Sequence, residues 1–388
     1  MKSLSEIIAR TEKTLRPLMV GLPPRIAVGF FSAGRKRFIE TLGQSVPSKV
    51  VTPPEELART LWGIRFRSPI CNAAGMFKNG DGYALVARQG AGAYLAGTTT
   101  GSPRTGNSKH GVFQPFAPYP HSQMASNWLG LPNKGHAAVA ERLAELDRIE
   151  NCPIGASVSA SPQEAEKVAL VELTDGLWLY EKAGVDFIEF NESCPNVPGH
   201  AGSASTVMLD ENLIRRCEHV FHTFLTKRPR RLPVIVKFSN DTHPSLVPLL
   251  IDLLTTLGFD GVNFGNTSTT YQAHEGQIVA SEKKLYRYFT GNFGGGLSGK
   301  PLKESSLALC TLACDYLAGH PAKDEFHVVR TGGIESASDI MASEHAGIAL
   351  NQWYTGYFEN FSHYGNRVYQ KMYDALLQAM HEQPNREV

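Results

Sequence analysis

The sequence predicts an α/β chain, a (β/α)8 (TIM) barrel with a small N-terminal helical extension, and three observations carry that expectation. From Pro69 onward, eight short apolar runs rich in Val, Ile and Ala alternate with segments of helical period. None of these runs alternates polar and apolar residues, so both faces of each are expected to be buried, as in a parallel sheet covered by helices. The first 50 residues contain no such unit and differ in charge. A doubly wound open sheet is the alternative for the same pattern.

Strands are expected at 70–74, 93–98, 154–158, 187–191, 234–238, 261–266, 326–331 and 348–353. Helices are expected at 80–89, 134–146, 161–184, 210–226, 245–257, 305–317 and 358–380, with another after Ser336. Ser161, Pro162 and Glu164 read as N-cap, first-turn proline and capping-box acid, and Ser336 with Asp339 repeats the device. The loops 99–132 and 267–302 are long, and loops beyond about 12 to 15 residues usually act as lids or binding loops. In the extension, Ser3 and Glu6 cap an apolar stripe of Leu4, Ile7, Ile8, Leu15, Leu18 and Met19. Pro23 and Pro24 then separate it from a second segment carrying Ile26, Val28, Phe30, Phe31, Phe38 and Ile39. The expected division is 1–50 for the extension and 51–388 for the barrel.

Composition excludes several classes. Of 388 residues 42% are hydrophobic and 19% charged, enough to bury a core and unlike a disordered chain. Lys and Arg total 38 against 37 Asp and Glu, so no global field recruits nucleic acid. That balance conceals a division. Residues 1–50 hold nine basic and three acidic residues, a net +6, which leaves 29 against 34, a net −5, for the remainder. A basic, apolar-striped helical pair suits an anionic membrane surface; a solvated pair packed against the barrel bottom is the alternative. No apolar run is long enough to span a bilayer and no signal-peptide pattern opens the chain, so a cytoplasmic protein, peripheral on the inner face of the membrane, is expected. Six scattered cysteines form neither a disulfide framework nor a metal set with histidine, and no metal is expected.

Active sites of such barrels lie in the loops after the strand C-termini. Those positions collect Ala73, Ala74, Gly75 and Lys78; Thr98; Asn191, Cys194 and Asn196; Lys237; Asn266 and Thr267; Gly332 and Gly333; and Tyr354 and Thr355. Amides, two lysines and a thiol around one mouth suit a planar, polar, anionic ligand. Cys194 reads either as a general base or nucleophile or as inert packing. Lys237, at the end of an apolar run, reads as a cation pointing into the mouth or as a snorkelling lysine with an ion-pair partner. The glycine-rich run 291–301 lets backbone amides approach a phosphate ahead of a helix. Gly294, Gly296 and Gly299 match the letters of the dinucleotide fingerprint, but no expected strand directly precedes them, and Pro301 stands where a phosphate-binding NTPase loop needs Ser or Thr.

In order and spacing, Asn72-Ala73-Ala74-Gly75 with Lys78, Asn127-Trp128-Leu129-Gly130-Leu131, the segments 191–198 and 295–302, Thr331-Gly332-Gly333-Ile334 and Tyr354-Thr355 resemble the dihydroorotate dehydrogenases. The resemblance implies flavin mononucleotide (FMN) held by Ala73, Ala74, Gly75, Thr98, Asn191, Lys237, Gly299, Gly332, Gly333, Tyr354 and Thr355. It implies dihydroorotate, the precursor of orotate, held by Lys78, Asn127, Gly130, Leu131, Asn196, Asn266 and Thr267, with Asn191 serving both. Cys194 would take the C5 proton while hydride leaves C6 for flavin N5. Cys194 and the following 196–199 are similar to the soluble class 1 enzymes, whereas Lys78, Gly97-Thr98 and 296–302 are similar to class 2. Ser157 and Trp128 depart from the class 2 pattern. The extension resembles the helical pair that forms a quinone tunnel in class 2, which makes quinone the expected acceptor. Other readings are oxidation of a different dihydropyrimidine, a class 1-type enzyme using fumarate or NAD, and a flavin-free phosphate-binding isomerase or lyase.

Overall fold

A computed structural model describes residues 2–192 and 208–382. Its first strands, β1 (Arg59–Leu61) and β2 (Ile64–Phe66), form an antiparallel hairpin. Next come β3 (Ile70–Asn72) and β4 (Tyr94–Thr99); the first long loop then holds β5 (Ser108–Lys109), β6 (Val112–Phe113), β7 (Phe116–Tyr119) and β8 (Met124–Asn127). They are followed by β9 (Ile154–Val158), β10 (Phe187–Asn191), β11 (Val234–Phe238) and β12 (Gly261–Phe264). The second long loop holds β13 (Gly296–Gly299), and β14 (His327–Thr331) and β15 (Leu350–Trp353) complete the set.

The eight expected strands are all present and parallel, and their spatial order is β3-β15-β14-β12-β11-β10-β9-β4. Chain neighbours are therefore sheet neighbours, and the last strand returns to pair with the first, which excludes the doubly wound alternative. Along the seam between β3 and β4, the buried Asn72 carboxamide takes the place of a rung: Nδ2 donates to Leu95 O at 2.8 Å and Oδ1 accepts from Leu95 N at 3.1 Å. Most of β3, β4, β9, β10, β11 and β12 is apolar on both faces and fully buried, as the lack of alternation required.

The helices are α1 (Leu4–Val20), α2 (Pro24–Gln44), α3 (Tyr83–Gln89), α4 (His136–Ala144), α5 (Glu166–Lys182), α6 (Glu211–Val220), α7 (Val247–Thr256), α8 (Tyr271–His274), α9 (Lys283–Asn292), α10 (Lys303–Gly319), α11 (Ala337–His345), α12 (Thr355–Tyr364) and α13 (Val368–Glu382). Two boundaries differ from expectation. Ser161 does not cap α5, which starts at Glu166; its Oγ instead accepts from Gly101 N at 3.3 Å and bonds Glu172, fastening the loop after β4 to the helix. The segment expected at 358–380 is two helices, broken where Gly365 takes φ +57°.

The barrel is closed differently at its two ends. Leu61, Trp62 and Phe66 of the hairpin pack against Leu95, Phe187, Ile235, Val329 and Leu350 near the strand starts and plug the bottom. At the other end the two long loops meet in an antiparallel sheet ordered β13-β8-β7. Helix α2 lies on that sheet, sharing a second core in which Ala27, Val28 and Phe31 contact residues such as Ala117, Tyr119, Phe289 and Leu297. Helix α1 is tied to α12 by ion pairing of Arg16 with Glu359 and by contact of Lys13 with His363. The extension therefore covers the mouth and not the bottom.

Candidate active site

Strand C-termini deliver their residues to one cavity of about 1080 Å3 of non-protein space. It is lined by Ala73, Ala74, Gly75 and Lys78 after β3, Thr98 of β4, Asn191 of β10, Lys237 of β11, Asn266 and Thr267 after β12, Gly332 and Gly333 after β14, and Tyr354 and Thr355 after β15. Asn127 of β8, Leu131 and Gly299 of β13 complete the set from the two long loops. Of the seventeen expected site residues that are described, only Gly130 stands back; its carbonyl accepts from Arg104 Nε at 3.2 Å. Cys194 and Asn196 lie outside the described residues.

The floor is polar and ordered. Lys237 is 3% exposed, and its Nζ contacts Glu189 Oε1 at 3.5 Å and Gln352 Oε1 at 3.4 Å, so the ion-pair partner and the inward position both hold. Asn191 Nδ2 donates to Thr98 Oγ1 at 3.0 Å, and Thr98 meets Ser157 Oγ at 2.9 Å. Thr331 Oγ1 lies 3.0 Å from both Asn263 Oδ1 and Gln352 Oε1. Sequence reasoning assigned no role to Glu189, Asn263 or Gln352, and Thr331 entered only as part of a motif; all four are polar positions within strands. Which strand residues share the barrel interior depends on register, here Asn191 beside Lys237 and Lys237 beside Asn263.

The opposite end suits an anion. Helix α12 opens at Thr355 without a side-chain cap, and Tyr354, Thr355 and Gly356 all border the cavity. Gly333, at φ +70°, brings its loop against the start of α10; a Cβ there would stand 2.4 Å from Lys303 Cα. In the wall after β12, Thr267 Oγ1 is buried without a hydrogen-bond partner among the described residues, a capacity that a polar ligand can satisfy. An anion cradle, a buried cation at the floor and amides along the wall together fit a phosphate-bearing flavin and a polar substrate.

The other cysteines are poor candidates for chemistry. Burial pushes the Cys152 and Cys314 thiols up to about 11 and Cys310 to about 12, and raises Cys71 and Cys217 as well. Among the described residues no group of His, Cys, Asp and Glu can hold a metal ion.

A second, largely apolar cavity adjoins the first. It runs between α1, α2 and the mouth, lined by residues including Ile8, Leu15, Met19, Phe38 and Phe358, and it shares Arg35, Phe116, Tyr354 and Thr355 with the polar site. Arg35 of α2 donates to Tyr354 Oη at 2.6 Å and lies over the Phe116 ring, 5.7 Å from its centroid. No sequence signal singled out Arg35, because tertiary packing of the extension is what brings it here.

A sequence profile for the family described as dihydroorotate dehydrogenase matches residues 56–378. The chain is 30% identical over 335 residues to a Streptomyces griseus protein named dihydroorotate dehydrogenase (quinone), covering 86% of this chain and 84% of that one. A Methylococcus capsulatus protein of the same name is 29% identical over 347 residues, 89% of this chain and 94% of its own. Among solved structures, ligand-free DHODH from Eimeria tenella aligns with a TM-score of 0.74 at 21% identity, over 90% of this chain and 95% of that one, a likeness of fold.

Proposed function

The chain belongs to the dihydroorotate dehydrogenase family, and on that premise we propose that it oxidises dihydroorotate to orotate in pyrimidine biosynthesis, with FMN as cofactor and a quinone as acceptor. The observation that carries this reading is the single cavity that gathers the expected residues and opens through Arg35, Phe116 and Tyr354 onto an apolar tunnel. Quinone appears in the names of the relatives, and an apolar tunnel suits so apolar an acceptor better than fumarate or NAD.

FMN, when bound, supplies the hydride acceptor for the first half-reaction and the electron donor for the second. The chain's own groups do the rest. The uncapped first turn of α12 and the Gly332-Gly333 loop receive the phosphate, and Lys237 sets a fixed cation against the ring system. Lys78 receives the substrate carboxylate, and Asn127, Asn191, Asn266 and Thr267 receive the donor and acceptor edges of the ring. Cys194 is the base that removes the C5 proton. We assign residues 1–50 to the extension and 51–388 to the FMN-binding barrel. Leu4, Ile7, Leu15, Leu18, Leu22, Ile26 and Phe30 are exposed large apolar residues of the extension, which supports peripheral binding to the inner face of the membrane. No helix among the described residues is long and apolar enough to cross a membrane.

Purified protein is expected to be yellow, to bleach anaerobically with dihydroorotate and to recover colour with a quinone faster than with fumarate or NAD. Changing Cys194 to alanine is expected to leave flavin bound and slow bleaching by roughly 100-fold or more. An unchanged rate would remove Cys194 as the base, and bleaching only by another dihydropyrimidine would reassign the substrate.

A further inference from the structure

Glu189 does not line the cavity, yet the polar floor leads back to it. The residue is 0% exposed in the barrel interior and receives four donors. Ser157 Oγ and Lys237 Nζ reach Oε1 at 3.1 and 3.5 Å; Asn263 Nδ2 and Gln352 Nε2 reach Oε2 at 2.9 and 2.8 Å. These bonds set the polarity of their neighbours. Because the Glu189 carboxylate only accepts, the Ser157 proton goes to Glu189, which leaves Ser157 Oγ to accept the Thr98 proton and Thr98 Oγ1 to accept from Asn191 Nδ2. Because Gln352 Nε2 faces Glu189, its Oε1 is left to accept from Lys237. Two of the three Lys237 N–H groups are thereby engaged, which aims the third at the cavity that Lys237 lines.

We propose that Glu189 is the positioning residue of this floor: its charge holds Lys237 and offsets it, so that the site stabilises a reduced, anionic flavin less than Lys237 alone would. The inference rests on the flavin reading above. In a buried, water-poor setting a neighbouring charge acts far more strongly than it does in solution. A compensated lysine keeps the reduced ring willing to release its electrons to the second substrate.

The test is an equilibrium redox titration of the purified, flavin-loaded protein against reference dyes, which involves no turnover. E189Q is expected to shift the equilibrium at least tenfold toward reduced flavin, a rise of about 30 mV for a two-electron couple. E189D keeps the charge and should hold the wild-type potential; a rise equal to that of E189Q would trace the effect to disturbed packing and overturn the proposal. If E189Q fails to accumulate with flavin, E189N, the neutral counterpart of E189D, takes its place and must raise the potential. An unmoved potential in whichever of these two variants loads flavin refutes the role of Glu189 and leaves the flavin reading intact. A wild-type protein that takes up no flavin defeats that reading itself.

Discussion

Asn72 joins β3 and β4 through one buried carboxamide that serves as both donor and acceptor to the same backbone unit, Leu95. Replacing it with alanine leaves an N–H and a C=O inside the barrel wall without partners, at roughly 1–3 kcal/mol for each abandoned group. Asn72→Ala is therefore expected to lose about 3 kcal/mol of stability in urea denaturation; a loss below about 1 kcal/mol would mean that the seam is held elsewhere. The sequence marked Asn72 as part of a motif beside the site, without showing that its task is closure. The same limit applies to Glu189, two positions before Asn191 in one strand. A charged residue inside an apolar run is visible, but the lysine it will meet is chosen by the register of β10 on β11. Positions that follow directly from chain order, such as the glycines and threonines after each strand, were legible because the barrel sends every strand end to one mouth.

Among the elements, those with local punctuation were legible. The capping boxes at Ser3 with Glu6 and at Ser336 with Asp339 both form, since their geometry depends on neighbouring residues alone. At Ser161 the same letters fail because Glu172 and Gly101 compete for the hydroxyl across the loop. Helix α4 shows how packing adds what sequence leaves unsaid. His136, in its first turn, is buried on Gly176 of α5, where any Cβ would lie 2.5 Å from the ring, and its Nδ1 meets Thr99 Oγ1 at 2.9 Å. Burial pushes the His136 pKa down to about 3. The unfolded chain takes a proton near pH 6.5 that the folded chain refuses until about pH 3, so stability falls as pH drops through that window. By pH 5 the loss relative to pH 8 is about 2 kcal/mol from this residue. His136→Gln, whatever it costs at pH 8, is expected to remove that component, so its stability deficit should shrink by about the same amount at pH 5. A deficit that stays constant with pH would show that His136 titrates normally.

Taken whole, the molecule separates two chemistries on either side of Arg35. The near-neutral sum of charges hides a basic extension, but the structure divides that charge further: Arg16 is turned inward to Glu12 and Glu359, and Arg35 to Tyr354, so neither is available to a membrane surface. Other basic residues of the extension, among them Arg10, Arg25, Lys36 and Arg37, stay exposed, as do apolar residues of which Ile7, Leu15 and Phe30 also line the tunnel. The existence of the extension was legible in its composition, whereas its seat over the mouth was not, because that depends on a joint core with two loops distant in sequence. This arrangement makes the halves of the reaction separable. Gly34 of α2 lines the tunnel, and a Cβ built on it meets nothing within 4 Å. Gly34→Leu therefore places a branched side chain in open tunnel space and also improves helix propensity, by up to about 1 kcal/mol. Flavin bleaching by dihydroorotate should keep its wild-type rate, because the polar cavity is untouched. Reoxidation by a quinone should slow at least tenfold, the effect of a clash worth about 1.4 kcal/mol, while a small soluble electron acceptor should still recover the colour. Stopped-flow measurement of the two half-reactions decides the matter: equal slowing of both would mean that tunnel and site are one compartment, and unchanged reoxidation would send the quinone to another face of the barrel.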